Sequence, residues 1–379
     1  MDKKILIVDG NLFARKMFYK FKMLKTTLTL SELSKKPDLR DLQTLLETNY
    51  TNKTVSPKPD KKIVNSKTGK EMTVKESVRI SEKINKIINS PTEVTIETGV
   101  IYGMLRSLIK INRDYNIGKI IFCFDPVKRN RVSSYRYKLS NDYKASREEN
   151  SVRKKDETIQ FYSQLFISNY ILELLGIEQI WSETFEADDL LDHLCKGKYK
   201  DKEIILLTSD HDLFQIITDK VNILTIGSEG EMITESTIKG KFGISPNQWL
   251  DYMTLIGCRG DDVKGLLGEK TSLSLMMKYE NIPNIFKNLK SVKKDLKEKD
   301  YNKLLKEKEN DLSFLKKTRK LVRLYGGKED IEREIFVKRS CVSKKNALLL
   351  IEMLNILKFR SLLGKEEIKS LVSIVKNQK

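Results

Sequence analysis

The chain has 379 residues, 39% of them hydrophobic, enough for roughly two or three domains with a substantial core. Lysine and arginine outnumber aspartate and glutamate by 71 to 52, a net charge of +19, which points to a polyanionic partner, nucleic acid before an anionic membrane surface. No apolar run approaches the ~20 residues of a membrane span, and MDKKILIVDG enters a strand pattern at once, so the expectation is a protein with no membrane anchor and no signal peptide. Cys123, Cys195, Cys258 and Cys341 lie far apart and fit no zinc spacing, which reads as reduced thiols in a cytoplasmic protein.

In chain order, Ile5–Val8 is a short apolar run that ends on Asp9. From about residue 24 to 98 the composition turns to Lys, Ser, Thr and Pro, the mark of an insertion with a flexible middle and no recognisable chemistry. GVIYGMLRSLIKIN then has the period of an amphipathic helix, and the run Lys119–Phe124 leads into Asp125. The segment after Asp125, about 126–157, is dense in Lys and Arg with Tyr135, Tyr137 and Tyr143 among them, which suits neutralisation of a phosphate backbone plus base stacking. FYSQLFISNYILELLG reads as a second helix, closed by Gly176 and followed by the weaker strand GIEQIW.

SETFEADDLLDHL comes next. Glu186, Asp188 and Asp189 crowd the start of a helix for which Thr184 is the expected N-cap. Capping needs one or two such groups, and three repel one another unless a cation sits among them. Ile204–Leu207 is a buried-type strand that runs into Ser209-Asp210-His211-Asp212, and Val221–Ile226 is another. Short strands alternating with helices predict an α/β fold, a mainly parallel sheet flanked by helices. The lysine-rich stretch from Lys287 to Lys317 reads as helix with a solvated face.

In such a sheet, ligands bind beyond the carboxyl ends of the strands. Asp9, Asp125, Asp210 and Asp212 follow three strand ends, and the FEADD helix starts after a fourth, so as many as seven carboxylates are expected in one crevice. Oxygen ligands with no His or Cys at matching spacing suit Mg²⁺ or Mn²⁺, and two such ions are a known solution for phosphoryl chemistry. His193 and His211 have no partner at metal spacing.

IVDGN, FCFDP, YKASR, FEADD, LTSDHDLFQ, GISPNQWLDYMTLIG, GEKT and LKFRSLL occur in the order seen in the structure-specific 5′-nucleases, the 5′–3′ exonuclease domain of bacterial DNA polymerase I and the stand-alone phage flap endonucleases, which this chain resembles. The resemblance implies a PIN-like nuclease core over 1–250, with a helical arch over the active site at about 126–157, and a helix–hairpin–helix and helical region over 251–379. It implies that Asp9, Asp125, Glu186, Asp188, Asp189, Asp210, Asp212 and Asp261 hold two divalent ions, Asp261 through the family's G-D-x-x-D pattern, where this chain has Cys258 in the first acidic position. Asp262, an extra acid, is a further candidate for the second ion. Lys144 and Arg147 are the implied catalytic cations at the scissile phosphate.

The same resemblance assigns DNA contacts to Arg129, Arg131, Arg136, Lys138 and Tyr143 in the arch. Gly265, Gly268, Lys270 and Thr271 take that role in the hairpin, where relatives also hold K⁺. DDVKGLLGEKT is shorter than the family's hairpin pattern, and it is no P-loop, because Glu269 stands where a glycine should precede the lysine. The implied partner is DNA with a 5′ flap, a nick or a 5′ end, with a 5′ RNA primer as a further substrate. The implied form is a monomer in the cytoplasm of a bacterial or phage-infected host cell. Two rival readings stand beside the flap endonuclease: an RNase H-type 5′-nuclease that removes RNA primers, and a non-catalytic junction-binding protein.

Overall fold

A computed structural model describes residues 3–29, 62–64, 71–73, 93–126, 135–146, 155–227, 229–324, 329–339 and 343–378. Most of the expected insertion therefore lies outside the described residues, as do Arg129, Arg131, Arg147 and Cys341. The chain forms two compact units that interleave in sequence: the first takes Met1–Val127, Ser151–Ser182 and Glu329–Lys379, the second Lys128–Asn150 and Glu183–Lys328. The helix Pro246–Ile256 runs across residue 250, where the sequence suggested a boundary.

In the first unit, the strand Lys4–Asp9 pairs in parallel with Ile117–Phe124, which pairs in parallel with Glu178–Ser182. Ile335–Lys338 adds an antiparallel strand beside Glu178–Ser182. Continuous apolar runs such as Leu6-Ile7-Val8 and Ile120–Cys123 are fully buried, as expected of parallel strands covered by helices. The helices Gly10–Lys20, Gly99–Tyr115 and Lys155–Leu174 pack on one another, and Lys365–Asn377 packs on Gly99–Tyr115 and on the Ile117–Phe124 strand. Gly10 follows directly on Asp9, and any side chain there would overlap the Phe124 ring. That close approach sets the strand-to-helix turn that presents Asp9.

In the second unit, Ile204–Leu207 pairs in parallel with Val221–Leu224, and Met232–Ile233 returns antiparallel beside the latter. The core pairs Lys4–Asp9 with Ile117–Phe124, Ile117–Phe124 with Glu178–Ser182, and Ile204–Leu207 with Val221–Leu224 are parallel, the α/β character read from the sequence, and Ile335–Lys338 and Met232–Ile233 add antiparallel strands. A cluster of Phe214, Phe242, Trp249 and Tyr252 cores the second unit, with ring centroids 4.9 to 6.3 Å apart along the Phe214–Phe242, Phe214–Trp249, Phe242–Trp249 and Trp249–Tyr252 pairs.

Pro246–Ile256 and Glu269–Tyr279 are the two helices of the expected helix–hairpin–helix, joined through the paired two-residue strands Gly257–Cys258 and Val263–Lys264. Gly265 lies so close to the carbonyl of Ile256 that a Cβ has no room, and Leu266 and Leu267 both donate their N–H groups to the Leu255 carbonyl at 2.8 and 3.0 Å. The lysine-rich region forms the helices Leu289–Asp295, Glu298–Glu309 and Ser313–Val322. Among the described residues no helix is long and apolar enough to cross a membrane.

Candidate active site

Each unit carries part of the expected acidic set. In the first, Asp9 ends its strand and caps the following helix by accepting from the Leu12 N–H at 3.1 Å. Asp125 follows the adjacent parallel strand and accepts from the Asn11 amide at 3.1 Å. The register sets Asp9 opposite Cys123, two residues before Asp125, so both carboxylates stand at the carboxyl end of neighbouring strands.

The second unit holds six of the acids. The helix Ala187–Lys196 starts at Glu186 rather than Thr184, which corrects the expected N-cap by two positions; the Asp189 carboxylate turns back to accept from the Glu186 N–H at 3.3 Å. Phe185 and Ala187 are buried, and the apolar positions Leu190, Leu191 and Leu194 carry the helix into the core, leaving Glu186 and Asp188 partly accessible at its head. Beyond Ile204–Leu207, Asp210 caps a short 3₁₀ turn by accepting from the Asp212 N–H at 2.9 Å. Asp212, Cys258 and Asp261 each present one ligand atom, all within 4.8 Å of one another. His211 lies against the Phe214 ring, centroids 4.7 Å apart.

Two cations face this set. Arg136, in the short helix Tyr135–Leu139, uses all five of its N–H groups: Nη1 donates to Asp189 Oδ2 at 2.7 Å and Glu186 Oε2 at 3.1 Å, Nη2 to Asp189 Oδ1 at 2.7 Å and the Arg323 carbonyl at 3.1 Å, and Nε to the Leu321 carbonyl at 3.0 Å. Only 2% of it is exposed, which corrects the expected DNA contact: a guanidinium with every donor spent on acceptors of the chain itself has nothing left for a phosphate. Lys144 Nζ lies 2.7 Å from Glu186 Oε1 and 3.8 Å from Asp261 Oδ2. Tyr143, expected to stack on DNA, is also buried, and its hydroxyl lies 2.8 Å from Glu186 Oε2 and 3.0 Å from Asp261 Oδ2. Lys138 is exposed. In the hairpin Gly265, Gly268 and Lys270 are exposed, the last in the first turn of the Glu269–Tyr279 helix, where unpaired N–H groups suit an anion.

Burial raises the carboxyl of Glu186, but the Lys144 ammonium and the Arg136 guanidinium more than reverse that and hold it at about 2. Burial and the neighbouring carboxylates of Asp210 and Asp261 push Asp212 up to about 7, and burial with Glu186 and Asp189 nearby pushes Asp188 well above its usual range. The Cys258 thiol is pushed up too, by burial and then by Asp212 and Asp261. Lys144 and Arg136 thus satisfy the Glu186–Asp189 side, whereas Asp212 and Asp261 crowd together with a thiol. A donor set of carboxylate oxygens crowded enough to hold a proton near neutral pH fits a divalent cation.

Sequence reasoning missed three roles. Arg136 differs from Arg129 and Arg131 in the sequence only by its flanking tyrosines, one of which lies against its guanidinium, 4.8 Å from ring centroid to Cζ. The tyrosine hydroxyl bridging two acids has no sequence signal. The third concerns Asp262, a candidate metal ligand from its position: its Oδ2 instead accepts from the backbone N–H and the hydroxyl of Ser146, both at 2.9 Å.

Residues 83–243 match the family model described as 5′–3′ exonuclease, N-terminal resolvase-like domain. A 5′–3′ exonuclease of Buchnera aphidicola subsp. Schizaphis graminum is 34% identical over 199 residues, 52% of this chain and 65% of that protein. The thermostable DNA polymerase I of Thermus filiformis is 31% identical over 199 residues, 22% of its length. This chain thus spans just under two thirds of the first relative and a smaller part of the second. The zinc-bound 5′-exonuclease of bacteriophage T5 is 15% identical with a TM-score of 0.54 over the whole of both chains. The T5 flap endonuclease in a pseudo-enzyme–product complex with DNA and metal ions gives 14% and 0.52 over 99% of each. At these identities the structural likeness establishes the shared fold.

Proposed function

We propose, from the match of residues 83–243 to the family model of the 5′–3′ exonuclease N-terminal, resolvase-like domain, that the protein is a divalent-metal-dependent 5′-nuclease, a flap endonuclease or 5′–3′ exonuclease hydrolysing phosphodiester bonds near the 5′ ends of branched, nicked or primer-bearing DNA. The observation that carries this reading is the meeting of Lys144 and the Tyr143 hydroxyl with Glu186 and Asp261, beside the crowded pair Asp212 and Asp261. A binding protein gains nothing from crowded, partly buried acids, which are costly unless cations are bound among them.

In this reading Asp9 and Asp125 in the first unit, and Glu186, Asp188, Asp210, Asp212 and Asp261 in the second, are ligands for Mg²⁺ or Mn²⁺, two ions in all, and Asp189, bound at both oxygens by Arg136, orients the head of the helix rather than facing a metal. Such ions, when bound, acidify water and neutralise charge on the scissile phosphate. Lys144 exchanges part of its bond to Glu186 for the phosphate and stabilises the charge that develops there, with Arg147 as the second implied cation. Phosphate contacts along the +19 surface, Lys138 and the hairpin residues Gly265, Gly268, Lys270 and Thr271 among them, fix the register of the duplex. K⁺ at the hairpin, cleavage of 5′ RNA primers and a monomeric cytoplasmic form belong to the same proposal.

A 5′-labelled flap substrate with Mg²⁺, set beside EDTA, tests the reading. Short labelled products that appear only with the metal support it, and an intact substrate under both conditions refutes it.

A further inference from the structure

Two turns that lie far apart in sequence are clasped together in the second unit. One is Tyr143–Ser146; the other is the turn through Asp261 and Asp262 that links the two strands of the hairpin. Lys144 and Asp262 both adopt left-handed backbone conformations, φ 55° and 59°, a costly choice for residues with a Cβ that persists only where the surroundings enforce it. The enforcing contacts are on both sides of the lysine. Its own N–H donates to the Asp261 carbonyl at 2.9 Å. One residue before, the Tyr143 hydroxyl reaches the Asp261 carboxylate at 3.0 Å, and two residues after, Ser146 donates its N–H and its hydroxyl to Asp262 Oδ2, both at 2.9 Å. Tyr143 to Ser146 is thus anchored at three points to two consecutive acids.

We propose that Asp262 is a positioning residue for Lys144: through Ser146 it holds the lysine's backbone in its left-handed turn, so that the ammonium and the Asp261 carboxylate are set as one rigid piece for the phosphate. The proposal rests on the nuclease reading of Lys144 given above and adds to it a role for an acid that looks, by its place beside Asp261, like one more metal ligand. Asp262 does not share the cluster formed by Asp212, Cys258 and Asp261. A hydrogen-bonded carboxylate at this point accepts two bonds that a neutral amide oxygen can also accept, which separates geometry from charge.

The test compares Asp262→Ala, Asp262→Asn and Ser146→Ala in the full chain, each alone and in a Lys144→Ala background, by single-turnover cleavage of a labelled flap and by DNA affinity in Ca²⁺. Asp262→Ala is expected to slow cleavage on the order of 10-fold to 100-fold, the usual penalty for misplacing a reacting group by about an ångström, with affinity unchanged. Asp262→Asn is expected to restore most of the rate, Ser146→Ala to lose less than Asp262→Ala because its N–H remains, and Asp262→Ala to add nothing once Lys144 is alanine. Equal losses in both backgrounds overturn the proposal, because the acid then acts independently of the lysine. A shifted Mg²⁺ requirement in Asp262→Asn also overturns it, in favour of a metal ligand. The unsubstituted chain reports separately on the nuclease reading: no cleavage there refutes that reading and this one together, whereas normal cleavage by Asp262→Ala refutes the positioning role alone.

Discussion

The Arg136 guanidinium meets the Asp189 carboxylate at two points, Nη1 to Oδ2 and Nη2 to Oδ1, both at 2.7 Å, with the acid fully buried. Removing one partner of such a pair leaves an uncompensated buried charge, so Arg136→Ala should lower stability by roughly 3–5 kcal/mol. Arg136→Lys should recover little of it, because an ammonium cannot reproduce the fork of donors. Urea unfolding measures both, and a midpoint unchanged in Arg136→Ala would show the contact to be incidental.

Asp212 makes the effect of metal on stability depend on pH. Its carboxyl is raised from 3.8 to about 7 in the metal-free fold, so the folded state holds a proton that the unfolded state has released. The metal-free protein therefore loses stability as pH rises from about 4 to about 7 and nothing further above that. Glu186, held at about 2, contributes in the opposite sense: its stabilisation is present above 4.5 and is lost as pH falls towards 2. The increase in Tm on adding Mg²⁺ should consequently grow between pH 5 and 7.5, as the ion stops competing with a proton. An increment that is constant with pH would contradict the placement of the metal beside Asp212.

Salt should separate the surface charge from the site. If the +19 surface and the segment 128–155 carry six or more phosphate contacts, affinity for a flap should fall by a factor on the order of 10³ between about 50 and 200 mM salt. Lys144→Ala should slow cleavage more than it weakens binding, because its Nζ stands among the acids, 2.7 Å from Glu186 Oε1, and not on the open surface. Equal losses in rate and affinity would make it an ordinary backbone contact.

Cys258 stands with Asp212 and Asp261 in the position of an expected acid, and a thiol is a poor ligand for Mg²⁺. Cleavage by the unsubstituted chain should keep rising at Mg²⁺ concentrations that already saturate the first ion. Cys258→Asp should move that dependence to lower Mg²⁺. An identical Mg²⁺ titration for the two proteins would show that the position takes no part in holding metal.

The parallel strands were legible because they are buried on both faces: Ile204–Leu207 has the bounds read from its apolar run, the Lys119–Phe124 reading gained two residues at its start and the Val221–Ile226 reading lost two at its end, whereas the antiparallel Met232–Ile233 and Ile335–Lys338 were not read. Asp9 and Asp210 were legible because an acid at, or within three residues of, the end of such a run falls at the strand's carboxyl end. The acids of FEADD were visible as an excess over what capping requires, but their division was not. Asp189 is spent on Arg136, and only the fold brings residue 136 to residue 189. For the same reason the sequence assigned Arg136 and Tyr143 to DNA: in a run of basic and aromatic residues nothing local distinguishes a side chain that turns inward from one that faces solvent. The clasp between Ser146 and Asp262 depends on two left-handed residues that are not glycine, and no residue-type rule anticipates these.

The most direct measurement is cleavage of one 5′-labelled flap by the unsubstituted chain, Asp125→Asn and Asp188→Asn in Mg²⁺, with binding of the same flap followed in Ca²⁺. Asp125 and Asp188 come from different units and from different strand ends, so a shared phenotype does not reduce to one local distortion. The unsubstituted chain should release short 5′-labelled products, and both variants should bind the flap with unchanged affinity while cleaving it at least about 100-fold more slowly, the scale expected when metal-assisted chemistry is lost. Full cleavage by either variant in Mg²⁺ would contradict the acidic metal site on which the nuclease reading stands.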